Sequence, residues 1–244
     1  MKLSVLIPAQ DEEGSVGGTV EGVVAALERE GIDYEVVVIN DGSKDATARV
    51  TEEFAKAHRM VQLISLNPNR GKGGAVRAGM LAAQGRYALF TDADQSTPIQ
   101  ESEKLLAKLE AGYDMAIGSR AVTGAQVEQA QVWYRALAGK LFGVGTRVLC
   151  IRGIADTQCG FKAMKREVAQ KVFPHVTSNT AIFDIEMLVV ATRTGYRIAE
   201  VPVHWVHDPD TRIPYTLVRA LKIWVELFRI NRAQRVVWPM KVWK

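Results

Sequence analysis

Cysteine is scarce: Cys150 and Cys159 are the only two in 244 residues. They show no metal-ligand spacing, which argues against a zinc module or a disulfide framework and reads as two reduced thiols of a cytosolic protein. Long apolar runs are also missing, and nothing approaches the ~18 apolar residues of a membrane span. The first apolar segment, 3–8, follows Met1-Lys2 directly and is too short for the core of a secretory signal. Internal repeats, low-complexity tracts and obvious linkers are absent as well.

What is present is ordinary globular material, 48% hydrophobic and 24% charged, in a length that suits one large α/β domain or two small ones. The net charge of +4 is unevenly placed. Arg219, Lys222, Arg229, Arg232, Arg235, Lys241 and Lys244 face a single acid, Glu226, so residues 213–244 carry +6 and the remainder −2. Basicity therefore belongs to the C-terminus.

The first half alternates short β-rich runs (3–8, 34–40, 61–66, 87–92, 114–118) with helical patterns (15–29, 45–58, 73–84, 98–111). Ser43 or Asp45 suits a cap for the second helix and Pro98 the start of the fourth. This alternation predicts a mostly parallel, Rossmann-like sheet flanked by helices and joined by right-handed crossovers. Such sheets bind ligands beyond the carboxyl ends of their strands. Three strand ends are acidic: Pro8-Ala9-Gln10-Asp11-Glu12, Asn40-Asp41-Gly42-Ser43 and Asp92-Ala93-Asp94. Alternate residues of an extended chain point the same way, so Asp92 and Asp94 present oxygens to one point. Hard divalent cations take such oxygens together with substrate phosphates. Alone the pair is a weak signal; the three acidic ends together point to a metal or nucleotide site.

Asn69-Arg70-Gly71-Lys72-Gly73-Gly74 opens the third helix. A helix N-terminus with glycines offers backbone N–H groups to an anion. The spacing is not that of a Walker loop, because no glycine precedes at the required position and Gly73 replaces Ser/Thr. A phosphate-facing loop and a tight turn with an exposed lysine fit it equally.

Beyond Arg120 the alternation stops. Residues 126–150 read as a long helix, 156–164 as a loop entering a strand, 183–194 as a helix and 197–205 as a last strand. Asp184 and Glu186 at that helix start also suit its dipole. In the tail, Leu217, Val218, Leu221, Trp224, Val225 and Phe228 recur at helical spacing, predicting an amphipathic C-terminal helix over 214–244 behind a domain of residues 1–213. That helix either docks on the core or lies on an anionic membrane, aided by Trp224, Trp238 and Trp243. No groove-reading motif accompanies the charge, so nucleic acid is not expected.

Taken together these motifs resemble family 2 glycosyltransferases of the GT-A fold, most closely the dolichyl-phosphate glucosyl- and mannosyltransferase branch. Gly118-Ser119-Arg120, Asp156-Thr157-Gln158-Cys159-Gly160-Phe161-Lys162 and Phe183-Asp184-Ile185-Glu186 join the stretches above, and the similarity runs over residues 3–214. It implies a nucleotide-sugar pocket lined by Pro8, Ala9, Asp11, Glu12, Asp41, Gly71, Lys72 and Ala93, with Asp41 near the base or ribose. It implies Mg²⁺ or Mn²⁺ on Asp92 and Asp94, and acceptor phosphate facing Arg120 and Arg135. Gln10-Asp11 stands where the family usually has Tyr-Asn, Asn40 replaces the first of two aspartates, and Thr211-Arg212 replaces Ser-Lys with its positive charge kept.

The expected chemistry is inverting transfer of a hexose, glucose before mannose, from UDP-glucose or else GDP-mannose to a polyprenyl phosphate at the cytoplasmic face of a membrane. Asp92 and Asp94 would hold the cation, while Arg212 and Lys72 add charge as the diphosphate leaves. A phosphate monoester has a second pKa of ~6, so this acceptor is already ionised. A sugar hydroxyl acceptor, the alternative, needs a base, for which Asp184 and Glu186 are the candidates. A non-catalytic nucleotide-sugar-binding module is a third reading, at odds with the retained carboxylates.

Overall fold

The structure, a computed structural model, describes residues 1–128, 146, 151, 153–206 and 217–237, with the side chains of the last helix described over 223–233. Strands β1 (Leu3–Ala9) and β2 (Tyr34–Asn40) are buried almost along their whole length. Their unbroken apolar runs suit parallel strands covered on both faces. They join β3 (Val61–Ser65), β4 (Tyr87–Phe90), β5 (Met115–Ser119), β7 (Lys162–Lys165) and β8 (Ile198–Pro202) in one sheet of order β3-β2-β1-β4-β7-β5-β8. β7 runs antiparallel to both its neighbours; every other pair is parallel. The predicted strand 197–205 is broken at Val203 into β8 and β9 (His204–Val206).

Residues 126–128, expected to begin a helix, instead form a short strand, β6 (Gln126–Glu128), paired in parallel with β9. Of the rest of that predicted helix only Thr146 is described, helical and buried; the other residues lie outside the described ones, as do Arg135 and Arg212.

The helices fall on two sides. Leu3, Val5 and Ile7 pack with α1 (Val16–Arg29) and α4 (Ser102–Glu110). Leu6, Val37 and Ile39 face the other way, toward α3 (Gly71–Ala82), α5 (Arg166–Val172) and α6 (Phe183–Arg193). The period-two alternation of β1 and β2 is thus spent on two cores. The remaining early helix, α2 (Thr47–Ala57), follows β2.

The last helix, α7 (Leu217–Val237), contributes Leu227 and Ile230 to the same core as α6, with Ile223 and Trp224 packed against it. Val225 and Phe228 stay exposed, at 43% and 61%. Over its described side chains, then, the apolar stripe is divided between the core and the surface. Arg193 of α6 fixes the register by donating to the Asn231 side chain at 2.8 Å.

Candidate active site

The carboxyl ends of β1, β2 and β4 lie side by side, and the loops that leave them are tied together. Asp11 has a φ of 54°, a left-handed conformation that Asp and Asn tolerate best among residues with a Cβ. Its N–H donates to Ser43 Oγ at 3.0 Å and its Oδ1 accepts the Lys44 N–H at 2.8 Å. Glu12 donates its N–H to Thr47 Oγ1 and accepts the Ser15 hydroxyl at 2.6 Å, so its carboxylate serves the start of α1. Asp45 accepts the Thr47 N–H at 3.0 Å, while Ser43 is used across the loops and caps nothing.

Asp41, at the end of β2, is only 2% exposed. Its Oδ1 accepts the Arg70 N–H at 2.7 Å and its main-chain carbonyl accepts the Asn69 amide at 2.7 Å. Its Oδ2 is buried with no partner. A buried carboxylate oxygen left unpaired is costly unless a ligand donor meets it.

The glycines after Asn69 do more than expose backbone. A Cβ on Gly71 or on Gly73 would stand 2.3 Å from the carbonyl oxygens of Asn179 and Ser178, respectively. The Gly73 N–H already donates to Asn179 O at 3.1 Å, and the Gly71 N–H to Asn69 Oδ1 at 3.0 Å. Close packing of loop 177–180 therefore explains much of this glycine run, which local spacing had offered as an anion cradle. Lys72, between the two glycines, reaches Asp92 Oδ1 at 2.6 Å. Burial alone would lower its pKa, but Asp92, Asp184 and Asp94 together outweigh that and hold it above the ordinary lysine range.

Beyond β4, Thr91 continues the ladder to Leu6 O, and Asp92, Ala93 and Asp94 then turn across the sheet end. Ala93 O accepts the Thr19 hydroxyl at 2.5 Å, and Asp94 Oδ1 accepts the Ser96 N–H at 2.9 Å. Burial, and then the charge of Asp92, push the Asp94 carboxyl up. Gly160 closes the floor: a Cβ there would lie 2.1 Å from Asp92 Oδ2. Gly160→Ala is accordingly expected to displace the Asp92 carboxylate, at little cost in stability because that side chain is 30% exposed. Loss of thermal stabilisation by Mn²⁺ checks this; an unchanged shift would contradict it.

Two oxygen-donor carboxylates suit a hard divalent cation. Among the described residues there is no group of three His, Cys, Asp or Glu able to hold a metal. A cation on Asp92 and Asp94 would thus complete its shell with phosphate oxygens and water, as Mg²⁺-type sites commonly do.

Beneath this pair lies a second one that the sequence reading missed. Lys162 is wholly buried on β7; its Nζ donates to Asp184 Oδ1 at 2.5 Å and to the Cys159 carbonyl, and stands 5.4 Å from the Phe90 ring centroid. Burial raises the Asp184 pKa, against the pull of Lys162 and Lys72. Asp184 is the counter-ion of Lys162. Glu186, 1% exposed, accepts the N–H groups of Thr177 and Ser178 at 2.8 and 2.7 Å and the Thr177 hydroxyl at 3.0 Å. Both carboxylates are thus enclosed and already hold hydrogen-bond partners.

Arg120 is likewise engaged. Its Nε and Nη2 donate to Asp156 at 2.7 and 2.9 Å, its own N–H donates to Asp156 Oδ2 at 3.0 Å, and its guanidinium lies over Trp205. Glu200 in turn accepts the N–H groups of Ala155 and Asp156. Burial would raise the Asp156 pKa, but the Arg120 fork overrides it and brings the carboxyl down to about 2. A carboxyl depressed on folding stabilises the fold fully above its unfolded value of 3.8 and loses that contribution as pH falls toward about 2. Asp156→Asn should remove this part of the acid-unfolding slope in a pH-dependent melting series; an unchanged slope between pH 4 and pH 2 would refute the assignment.

Comparison with known proteins agrees with this arrangement. The profile named "Glycosyl transferase family 2" matches residues 4–173. A dolichyl-phosphate beta-glucosyltransferase of Drosophila melanogaster is 36% identical over 226 residues, 87% of this chain and 69% of that one. One from Saccharomyces cerevisiae is 34% identical over 251 residues, 95% of this chain and 74% of that one. Among solved structures, mannosyl-3-phosphoglycerate synthase from Rubrobacter xylanophilus superposes with a TM-score of 0.70 at 17% identity, covering 100% of this chain and 77% of that one. Glucosyl-3-phosphoglycerate synthase from Mycobacterium tuberculosis, in complex with UDP, gives 0.67 at 18% identity, covering 96% and 79%. With the profile spanning most of the chain, this sheet order and these acidic strand ends, the protein has the GT-A fold and belongs to glycosyl transferase family 2.

Proposed function

We propose that the protein transfers glucose from UDP-glucose to a polyprenyl phosphate of the dolichyl type, with inversion to a β-linked product, using Mg²⁺ or Mn²⁺. The observation that carries this is the ion pair of Lys72 with Asp92 at the end of β4, within the field of Asp94, on the same sheet end as the unpartnered Oδ2 of Asp41. The glucose and the dolichyl-phosphate acceptor are those printed in the names of relatives at about one-third identity, and UDP is the nucleotide printed for a structural neighbour.

In this reading Asp41 accepts a hydrogen bond from the base or ribose, alongside Pro8, Ala9 and Asp11. Asp92 and Asp94 hold the cation, which when bound acts as a Lewis acid on the donor diphosphate. Lys72 supplies a fixed positive charge to the departing phosphates, and Arg212, outside the described residues, adds a second. An acceptor phosphate is its own nucleophile, so the enclosure of Asp184 and Glu186 costs the reaction nothing. That enclosure disfavours the sugar-hydroxyl acceptor, which would need one of them as a base. Arg120, its fork on Asp156, orients the acceptor side through its remaining N–H donors, with Arg135.

Among the described residues no helix is long and apolar enough to cross a membrane. Val225, Phe228, Arg229 and Arg232 are exposed on α7, and that apolar-plus-cationic surface suits contact with an anionic bilayer face, taken here to be the cytoplasmic one.

The test is metal-dependent incorporation of labelled glucose from UDP-glucose into extractable polyprenyl phosphate, with GDP-mannose and soluble sugar acceptors run alongside. Label found only in a soluble product would overturn the acceptor, and label from GDP-mannose alone would overturn the donor.

A further inference from the structure

A loop outside the catalytic rim joins the C-terminal helix to the lysine that meets Asp92. We propose that Glu226 is a positioning residue for the donor diphosphate, acting through loop 177–180 on the glycine strip that carries Lys72.

From one side the loop is held by two carboxylates. Glu186 of α6 takes the backbone N–H groups of Thr177 and Ser178. Glu226 of α7 takes the Ser178 hydroxyl at 2.5 Å and the Thr180 hydroxyl at 3.0 and 3.1 Å. With their protons directed at Glu226, those hydroxyl oxygens accept locally: Thr180 Oγ1 from the Ile182 N–H at 3.1 Å, and Ser178 Oγ from the Thr180 N–H at 3.3 Å. A hydroxyl donates one proton only, so Glu226 decides which way both point. Hydrogen bonds to a charged acceptor are about twice as strong as neutral ones, which makes this the firm end of the loop.

From the other side the loop is pressed onto α3. Asn179 O accepts the Gly73 N–H and lies where a Cβ of Gly71 would fall, while Ser178 O lies where that of Gly73 would fall. Arg77 donates to Val176 O at 2.8 Å and to Asn179 Oδ1 at 3.2 Å. Lys72 sits between the two glycines that this contact defines, so a shift of the loop moves its ammonium relative to Asp92. The other end of the path is anchored, since Leu227, next to Glu226, and Ile230 are in the core. Between loop and helix lies a cavity of about 700 Å³, lined by Val225, Glu226, Arg229 and Ala233 among others. It lets water reach hydroxyls that lose their acceptor, so removing Glu226 loosens the loop without orphaning a buried group.

The inference rests on the reading of Lys72 and Asp92 as the diphosphate site. It is tested by calorimetric titration of UDP in the presence of Mn²⁺, with no acceptor, on the full chain. Glu226→Ala is expected to weaken UDP binding about tenfold, within the range typical of indirect coupling. Glu226→Gln, which keeps an acceptor oxygen, should recover most of the loss. Thr180→Val, which removes that hydroxyl from Glu226 and from the Ile182 N–H but leaves Ser178 on Glu226, should weaken binding in the same direction by a smaller factor. The KM for acceptor should be unchanged in all three. Equal UDP affinity in wild type and a folded Glu226→Ala variant overturns the proposal. Should that variant fail to fold, undiminished UDP binding by Thr180→Val overturns it instead. A wild-type chain that binds no nucleotide with Mn²⁺ present overturns the site reading itself, a different outcome.

Discussion

Asp92→Asn is expected to lower the rate of sugar transfer by about 10²–10³-fold, the scale typical of losing one preorganised electrostatic contact in an active site. The substitution keeps the shape of the side chain against Gly160 and removes its charge, so the steric floor survives while the cation and Lys72 lose a common partner. Stability should change little, because Lys72 retains 37% side-chain exposure and water takes over its solvation. The expected pattern is therefore a folded protein with an unshifted melting temperature in the absence of ligand, and loss of metal-dependent UDP stabilisation. Asp94→Asn should behave alike. Transfer within about threefold of wild type in either variant would remove this carboxylate pair from the reaction.

Lys162→Met should have the largest effect on stability. Removing one partner of an enclosed ion pair leaves the other charge uncompensated, and such losses run to about 3–5 kcal/mol. For a chain of this size that corresponds to a fall in melting temperature of about 6–20 °C. Asp184, 3% exposed, cannot turn to water and must bind a proton to remain buried. A second substitution, Asp184→Leu in the same chain, replaces the pair with apolar volume and should recover much of the loss, since buried pairs exchange for hydrophobic residues at little cost. Thermal unfolding of the single and double variants decides it. A Lys162→Met protein melting within about 2 °C of wild type would show that the pair carries no such load.

These two experiments touch residues that the chain announces to very different degrees. Asp92 and Asp94 follow an apolar strand and sit two residues apart, so both their burial and their shared direction are local properties. The acids after β1 and β2 are legible for the same reason. Lys162 ends a family motif, but its burial is not a local property: it follows only when Lys162–Lys165 is placed as the antiparallel member between β4 and β5. Gly160 was visible as part of a family motif, but its reason, contact with the Asp92 carboxylate, is a distance between segments far apart in the chain. Asp184 and Glu186 are legible as acids at a helix start, but their surroundings are not. Acids at a helix start look available to chemistry, and only the packing of β7 and loop 177–180 against them shows that they are enclosed.

The C-terminal helix makes the same point about periodicity. Helical spacing of apolar residues predicts a buried face, yet not which residues supply it. Trp224, one of the residues that suited a membrane, packs on the core, Val225 and Phe228 do not, and Leu227 and Ile230 supply buried positions. The rotation of a helix about its axis is set by its neighbours, here the core facing α6.

By itself, the sequence determined the alternating α/β architecture, the parallel strands of the first half, the acidic strand ends and the family to which the chain belongs. The family is legible from the resemblance of its motifs; the rest follow from periodicities and turn chemistry that act within a few residues. Tertiary structure alone decided how the charges are partnered: Lys72 with Asp92, Lys162 with Asp184, Arg120 with Asp156, and Glu226 with the hydroxyls that hold the glycine strip. A buried charge is stable only beside its counter-charge, and which one it meets depends on sheet order and on contacts between remote segments that no local pattern encodes.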